Sequence, residues 1–240
     1  MRRVGAPALL AALLVGCGSL QPNDAGVSFL ELHLPTCGGI EVGSTVTLAA
    51  KTLDQHGDSV SAPVWWRSPD TTIHVDSATG MVSGLAVSDT ARVQALVGTK
   101  DPIISDLFPL VVTPFADTLA QTSAARVTVE ANRTASEALI VTISHQTPPT
   151  HVKSFPLTYR VIEPVFASLD DRTVEFTGGK LTVTACSGPT GTPLVATVLN
   201  RRANKTQPDS AIVEVTAVHP DGSAVPGSGR RFTVLFKAPT

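Results

Sequence analysis

The feature that most constrains this chain is a two-residue alternation that recurs from Thr45 almost to the C-terminus. Val46, Leu48 and Ala50 alternate with small or polar neighbours, as do Ala91, Val93 and Ala95. The pattern returns at Leu139, Val141 and Ile143, at Leu157, Tyr159 and Val161, and at Leu181, Val183 and Ala185. It closes with Val213, Val215 and Ala217, then Phe232, Val234 and Phe236. Successive side chains of a strand point to opposite faces, so each set predicts one face on a core and one in water. Turn signals punctuate the runs at His56-Gly57-Asp58, Thr79-Gly80, Ser88-Asp89, Gly178-Gly179 and Asp221-Gly222. Helical periodicity is nearly absent after residue 17. Many short strands with turns every eight to twelve residues predict an all-β sandwich or barrel architecture.

Composition narrows this further. Hydrophobic residues make up 42%, which argues against disorder, while charged residues are only 16% and aromatics 5%. Net charge is −2 and no basic run exceeds a pair, so nucleic acid is not an expected partner. The length suits two domains of about 100 residues each. The stretch Thr113-Pro114-Phe115-Ala116-Asp117 reads as a boundary, where one strand ends in proline and a new alternation begins near Ala125. The expected domains are 27–114 and 118–238.

The first seventeen residues, MRRVGAPALLAALLVGC, differ from the rest of the chain. Arg2 and Arg3 precede an apolar run from Ala6 to Val15, too short for a permanent membrane span. This predicts a cleaved signal helix, residues 1–16. Leu14-Val15-Gly16-Cys17 resembles the lipobox of bacterial lipoproteins. That resemblance implies that Cys17 carries a diacylglyceryl thioether and that acyl chains hold the protein on a membrane. Gly18-Ser19 supply no acidic residue after the cysteine, which in that family goes with sorting to the outer membrane. Residues 17–26 then read as a flexible tether.

Cys37 and Cys186 remain in a chain destined for an oxidising compartment. Paired, they would close a loop worth about 4–5 kcal/mol of denatured-state entropy. They fall in different expected domains, so two free thiols are the alternative.

Residues 43–99 carry the most specific pattern after the leader. A threonine-rich strand ends near Lys51 and is followed by an Asp54–Gly57 turn. Trp66 precedes Arg67-Ser68-Pro69-Asp70, and Ile73 to Gly84 reads I-x-V-D-x-x-T-G-x-V-S-G. In this order the features resemble a bacterial Ig-like domain of group 2, the intimin/invasin type. The chain departs from the family at Ser88-Asp89, where a glycine is usual. The resemblance implies a β-sandwich with Trp66 in its core, and a non-catalytic role in surface display or adhesion. For 118–238 a second Ig-like or fibronectin-like sandwich is expected. The alternative is one larger sandwich in which late strands pair with the first domain. The fold class is therefore all-β: two tandem Ig-like β-sandwiches after a cleaved signal helix.

Few residues invite chemistry. There is no G-x-S-x-G, H-E-x-x-H or phosphate loop, so neither catalysis, a cofactor nor a metal is expected. His145 and His151 flank Thr147–Thr150 and would bind a metal only if they met across a hairpin. Asp54, His56 and Asp58 alternate in a turn, where calcium competes with simple turn chemistry. Arg230 and Arg231 sit at the base of a Gly/Pro-rich hairpin tip, either as a solvated edge or as an anion contact. In Trp65-Trp66 the neighbours face opposite ways, so with Trp66 inside, Trp65 is a candidate surface contact. The expected partners are a membrane, through the lipid anchor, and a protein or glycan ligand. The alternative role is a structural or assembly accessory facing the periplasm.

Overall fold

The computed structural model describes residues 23–168, 170–202 and 208–237. The signal segment and Cys17 lie outside the described residues. Among the described residues the chain is all-β, with twenty strands and a single short 3-10 turn at Thr36–Gly38.

The first ten strands build one sandwich. They are β1 (Phe29–His33), β2 (Gly39–Glu41), β3 (Thr45–Thr47), β4 (Ala49–Leu53), β5 (Val64–Arg67), β6 (Ile73–Val75), β7 (Met81–Gly84), β8 (Ser88–Val97), β9 (Ile103–Ile104) and β10 (Phe108–Thr113). One layer holds the β1-β4 pair and the β3-β7-β6 sheet. The other is β2-β10-β8-β5, with β9 added to β8. Leu30, Leu32, Leu48, Ile73 and Val82 from the first layer meet Ile40, Trp66, Ala91, Val93, Ala95 and Leu110 from the second in one core. The alternation at Ala91, Val93 and Ala95 does what its period predicts: each is fully buried. Gly80 explains itself through Trp66. It has φ +70°, and a Cβ there would lie 2.7 Å from the Trp66 Nε1, so a side chain would displace the indole from the core.

The remaining ten build a second sandwich: β11 (Thr118–Gln121), β12 (Arg126–Val129), β13 (Val141–Gln146), β14 (Pro149–His151), β15 (Pro156–Glu163), β16 (Val174–Glu175), β17 (Thr182–Cys186), β18 (Asn200–Arg201), β19 (Ser210–Thr216) and β20 (Arg230–Phe236). The large sheet runs β12-β20-β19-β15-β17, facing β11-β13-β14 and the β16-β18 pair. Its core is separate from the first and is centred on Leu119, Ile143, Tyr159, Phe176, Leu199 and Phe232. Among the described residues no strand of one sandwich pairs with a strand of the other, so the single larger sandwich is not formed.

Both sandwiches close in the same way. An early strand pairs parallel with the last one, β2 with β10 and β12 with β20, while every other named strand pairing is antiparallel. The longest strand is β8. Its ten residues span about 30 Å at the rise of a strand.

Candidate functional site

Two places on the molecule gather residues whose roles go beyond filling a core. The first is the junction between the sandwiches. Cys37, in the 3-10 turn before β2, is bonded to Cys186 at the end of β17, with Cα atoms 5.4 Å apart. Beside it, Glu41 at the end of β2 meets His219, in the long connection between β19 and β20. Glu41 Oε2 accepts from His219 Nδ1 at 2.8 Å, and its other oxygen accepts from the Ala116 backbone N–H at 2.7 Å. Glu41 is 2% exposed and His219 5%. The His219 ring stacks on Phe115 with centroids 4.4 Å apart, and Phe155 meets it at right angles with centroids 6.2 Å apart. Farther along the seam Lys153 pairs with Asp89 at the start of β8. Gly39 packs so tightly on the Ser154 carbonyl that no Cβ fits between them. A buried carboxylate is tolerated only when paired and hydrogen-bonded, and here both oxygens are used.

The alternation in the sequence did not reveal this pair. Glu41 ends a three-residue strand, and His219 sits in a Pro-Asp-Gly turn that reads as solvated. No local signal marks two residues 178 positions apart.

The second place is the opposite end of the first sandwich. The chain enters the described structure at Asn23, whose Nδ2 donates to the Val97 carbonyl at 2.8 Å. Asp24 accepts from the Thr99 hydroxyl at 2.9 Å and from the Thr99 and Lys100 backbone N–H groups. The Thr99 hydroxyl and N–H hold the Asp24 carboxyl below the usual carboxylate range. The tether expected over 17–26 is thus already fixed to the β8–β9 turn from Asn23 onward. Near this end Trp65 is 47% exposed, while its neighbour Trp66 is buried.

The other candidates resolve into turn and ladder chemistry. Asp54 Oδ1 accepts from the backbone N–H groups of His56 and Asp58 at 2.8 and 2.9 Å, so its carboxylate organises its own turn. His145 and His151 do not meet. His151 lies opposite Ser144 and His145 opposite Thr150, which puts the two imidazoles on opposite faces of the hairpin. His145 instead sits 3.0 Å from Asp117. Arg231 donates to Glu214 and Arg230 to the Leu119 carbonyl, so both already have acceptors. Among the described residues no group of three or more His, Cys, Asp and Glu is placed to hold a metal ion. No helix among them is long and apolar enough to cross a membrane. Burial pushes the Tyr159 phenol well above its ordinary range, inside the second core. On the outside of that sandwich a groove of about 410 Å³ runs between Val183–Cys186 and Leu194–Val198, with Leu194 and Val195 largely exposed.

No family model matches this chain, and no curated protein matches it. Solved structures do. The surface layer protein SbsC, domains 4–9, is 12% identical, with 88% of this chain and 31% of that one covered, at a TM-score of 0.31. The chain therefore spans about a third of the length of that S-layer fragment. The fibronectin(III)-like modules of Clostridium thermocellum CbhA are 15% identical over 88% of this chain and 95% of theirs, with a TM-score of 0.35. The D00-D0 domain of Intimin is 15% identical over 87% and 100%, with a TM-score of 0.32. Likeness at this level identifies neither a family nor an activity. The Ig-like sandwich assignment rests on the sheets and cores described above.

Proposed function

We propose that this chain is a lipid-anchored protein of the bacterial cell envelope whose two Ig-like modules are non-catalytic. The first is a spacer, and the second is displayed for binding to a protein or glycan. One observation carries this reading. The chain enters at one end of β8, where Asn23 is bonded to Val97, and the second sandwich is fixed at the other end, where Asp89 meets Lys153. About 27 Å of strand separates the two. A module held this way projects whatever is attached to its far end. The disulfide and the buried Glu41–His219 pair keep the second module from swinging freely. In this reading Cys17 carries the lipid, and the outer membrane is the site of attachment.

Protease shaving of intact cells tests the display, with a periplasmic protein as control. Loss of this protein while the control survives is the expected result. Protection of both would overturn surface display and leave a periplasm-facing accessory. Cys17→Ser is expected to move the protein from the membrane to the soluble fraction; unchanged fractionation would remove the lipid anchor.

A further inference from the structure

Apolar groups at the tether end form a row on the outer face. Trp65 on β5 lies opposite Leu96 on β8, and Leu96 lies opposite Ile104 on β9. Residues directly paired across strands share a face, and this one is the outer face, since the neighbouring Ala95 and Val97 are buried in the interior. Trp65 and Ile104 are each nearly half exposed, and β1, which carries the exposed Phe29, runs alongside β9. Leu96 is two residues from Gly98, in the turn that receives Asn23 and Asp24. The row and the chain entry are therefore at the same end of the sandwich.

The tether sets how far this end stands from its anchor. Six residue steps separate Cys17 from Asn23, at most about 20 Å when fully extended. Even a partner domain of 100 residues has a radius of gyration of about 13 Å. It is too wide to fit between this end and the membrane. What the row reaches at that distance is the headgroup layer.

We infer that the Trp65–Leu96–Ile104 face rests on the interfacial layer of the bilayer that holds the anchor. Trp65 lies at headgroup level, where the amphipathic indole is favoured. This rests on Cys17 being lipidated. Charges of both signs flank the row, Asp24 bonded to Lys100 in the adjoining turn and Arg67 two residues from Trp65, so headgroups of no net charge suit the contact. The tether end of the first module then meets the membrane through this row, and β8 carries the second module away from it.

The test uses the full lipidated protein in phosphatidylcholine–phosphatidylethanolamine vesicles, with and without brominated phosphatidylcholine. Tryptophan emission is compared between wild type and Trp65→Phe; the difference between them is the Trp65 signal, and the remainder is the buried Trp66. Loss of most of the Trp65 signal to the bromolipid, with the Trp65→Phe emission unchanged, is the expected result. Protein that floats with the vesicles while its Trp65 signal stays unquenched overturns the membrane contact and leaves the anchor standing. A Trp65 signal shielded from acrylamide yet untouched by bromolipid assigns the row to a protein contact and overturns it as well. Wild type that fails to float, like Cys17→Ser, overturns the anchor and this inference with it.

Discussion

Glu41 and His219 are 178 residues apart in sequence and 2.8 Å apart in space, and both are buried. Each comes from a different sandwich, so their bond is a joint between modules. Removing one partner leaves the other buried without its hydrogen-bond partner, which costs about 3–5 kcal/mol. Glu41→Ala and His219→Ala are expected to lose stability on this scale by urea denaturation, with the double variant losing less than their sum. Glu41→Gln is expected to lose less than Glu41→Ala, because its amide oxygen still accepts from the Ala116 N–H. Strict additivity would show that the pair does not couple.

The Cys37–Cys186 bond closes a loop of 149 residues, so the denatured chain gains the most freedom when it is removed. Replacing both cysteines by serine is expected to cost up to about 5 kcal/mol by chemical denaturation. Small-angle scattering is expected to show an unchanged radius of gyration in that variant. Glu41–His219, the Phe115 stack and Lys153–Asp89 still cross the seam. Adding Glu41→Ala to the serine variant is expected to expand the particle; expansion by the serine variant alone would assign the joint to the disulfide.

The two tryptophans separate core from surface. Trp66→Ala is expected to cost about 3–5 kcal/mol by opening a cavity between the layers. Trp65→Ala, whose ring is half in water, is expected to stay within about 1 kcal/mol of wild type. Gly80→Ala, with its Cβ driven into the Trp66 indole at a positive φ, is expected to destabilise by more than about 1 kcal/mol. Equal losses for Trp65→Ala and Trp66→Ala would contradict the assigned faces.

Carboxylates organise the surface turns and add a pH dependence to stability. The Thr79 N–H holds the Asp76 carboxyl below its usual range, the Asp58 N–H does so for Asp54, and the Ser223 hydroxyl for Asp221. A carboxyl depressed in the folded state contributes stability above its unfolded value, and that contribution disappears as pH falls through the folded one. The urea midpoint is therefore expected to fall as pH drops below about 4. The fall is expected to be shallower for Asp76→Asn, which caps the same turn without titrating. Identical pH profiles for this variant and wild type would remove Asp76 from the account.

The sequence alone marked the longer alternating strands, their inner faces and the split into two sandwiches, but not short strands such as β2, β9, β16 and β18. It could do so because a strand's burial pattern has a period of two and is written locally: Val141, Ile143, Val213 and Val215 alternate in sequence and are buried in the fold. The same local logic put Trp65 and Trp66 on opposite faces and Asp54 in a turn, while the choice of Trp66 for the inside came from the resemblance of residues 43–99 to an Ig-like module. Only the tertiary structure decided what depends on register and on distant encounters. A one-residue offset between β13 and β14 sends His145 and His151 to opposite faces. The pairing of Cys37 with Cys186, the meeting of Glu41 with His219 and the clamp of Asn23 on Val97 join positions separated by 149, 178 and 74 residues. No local pattern carries such contacts; they arise where the packed sheets bring turns together.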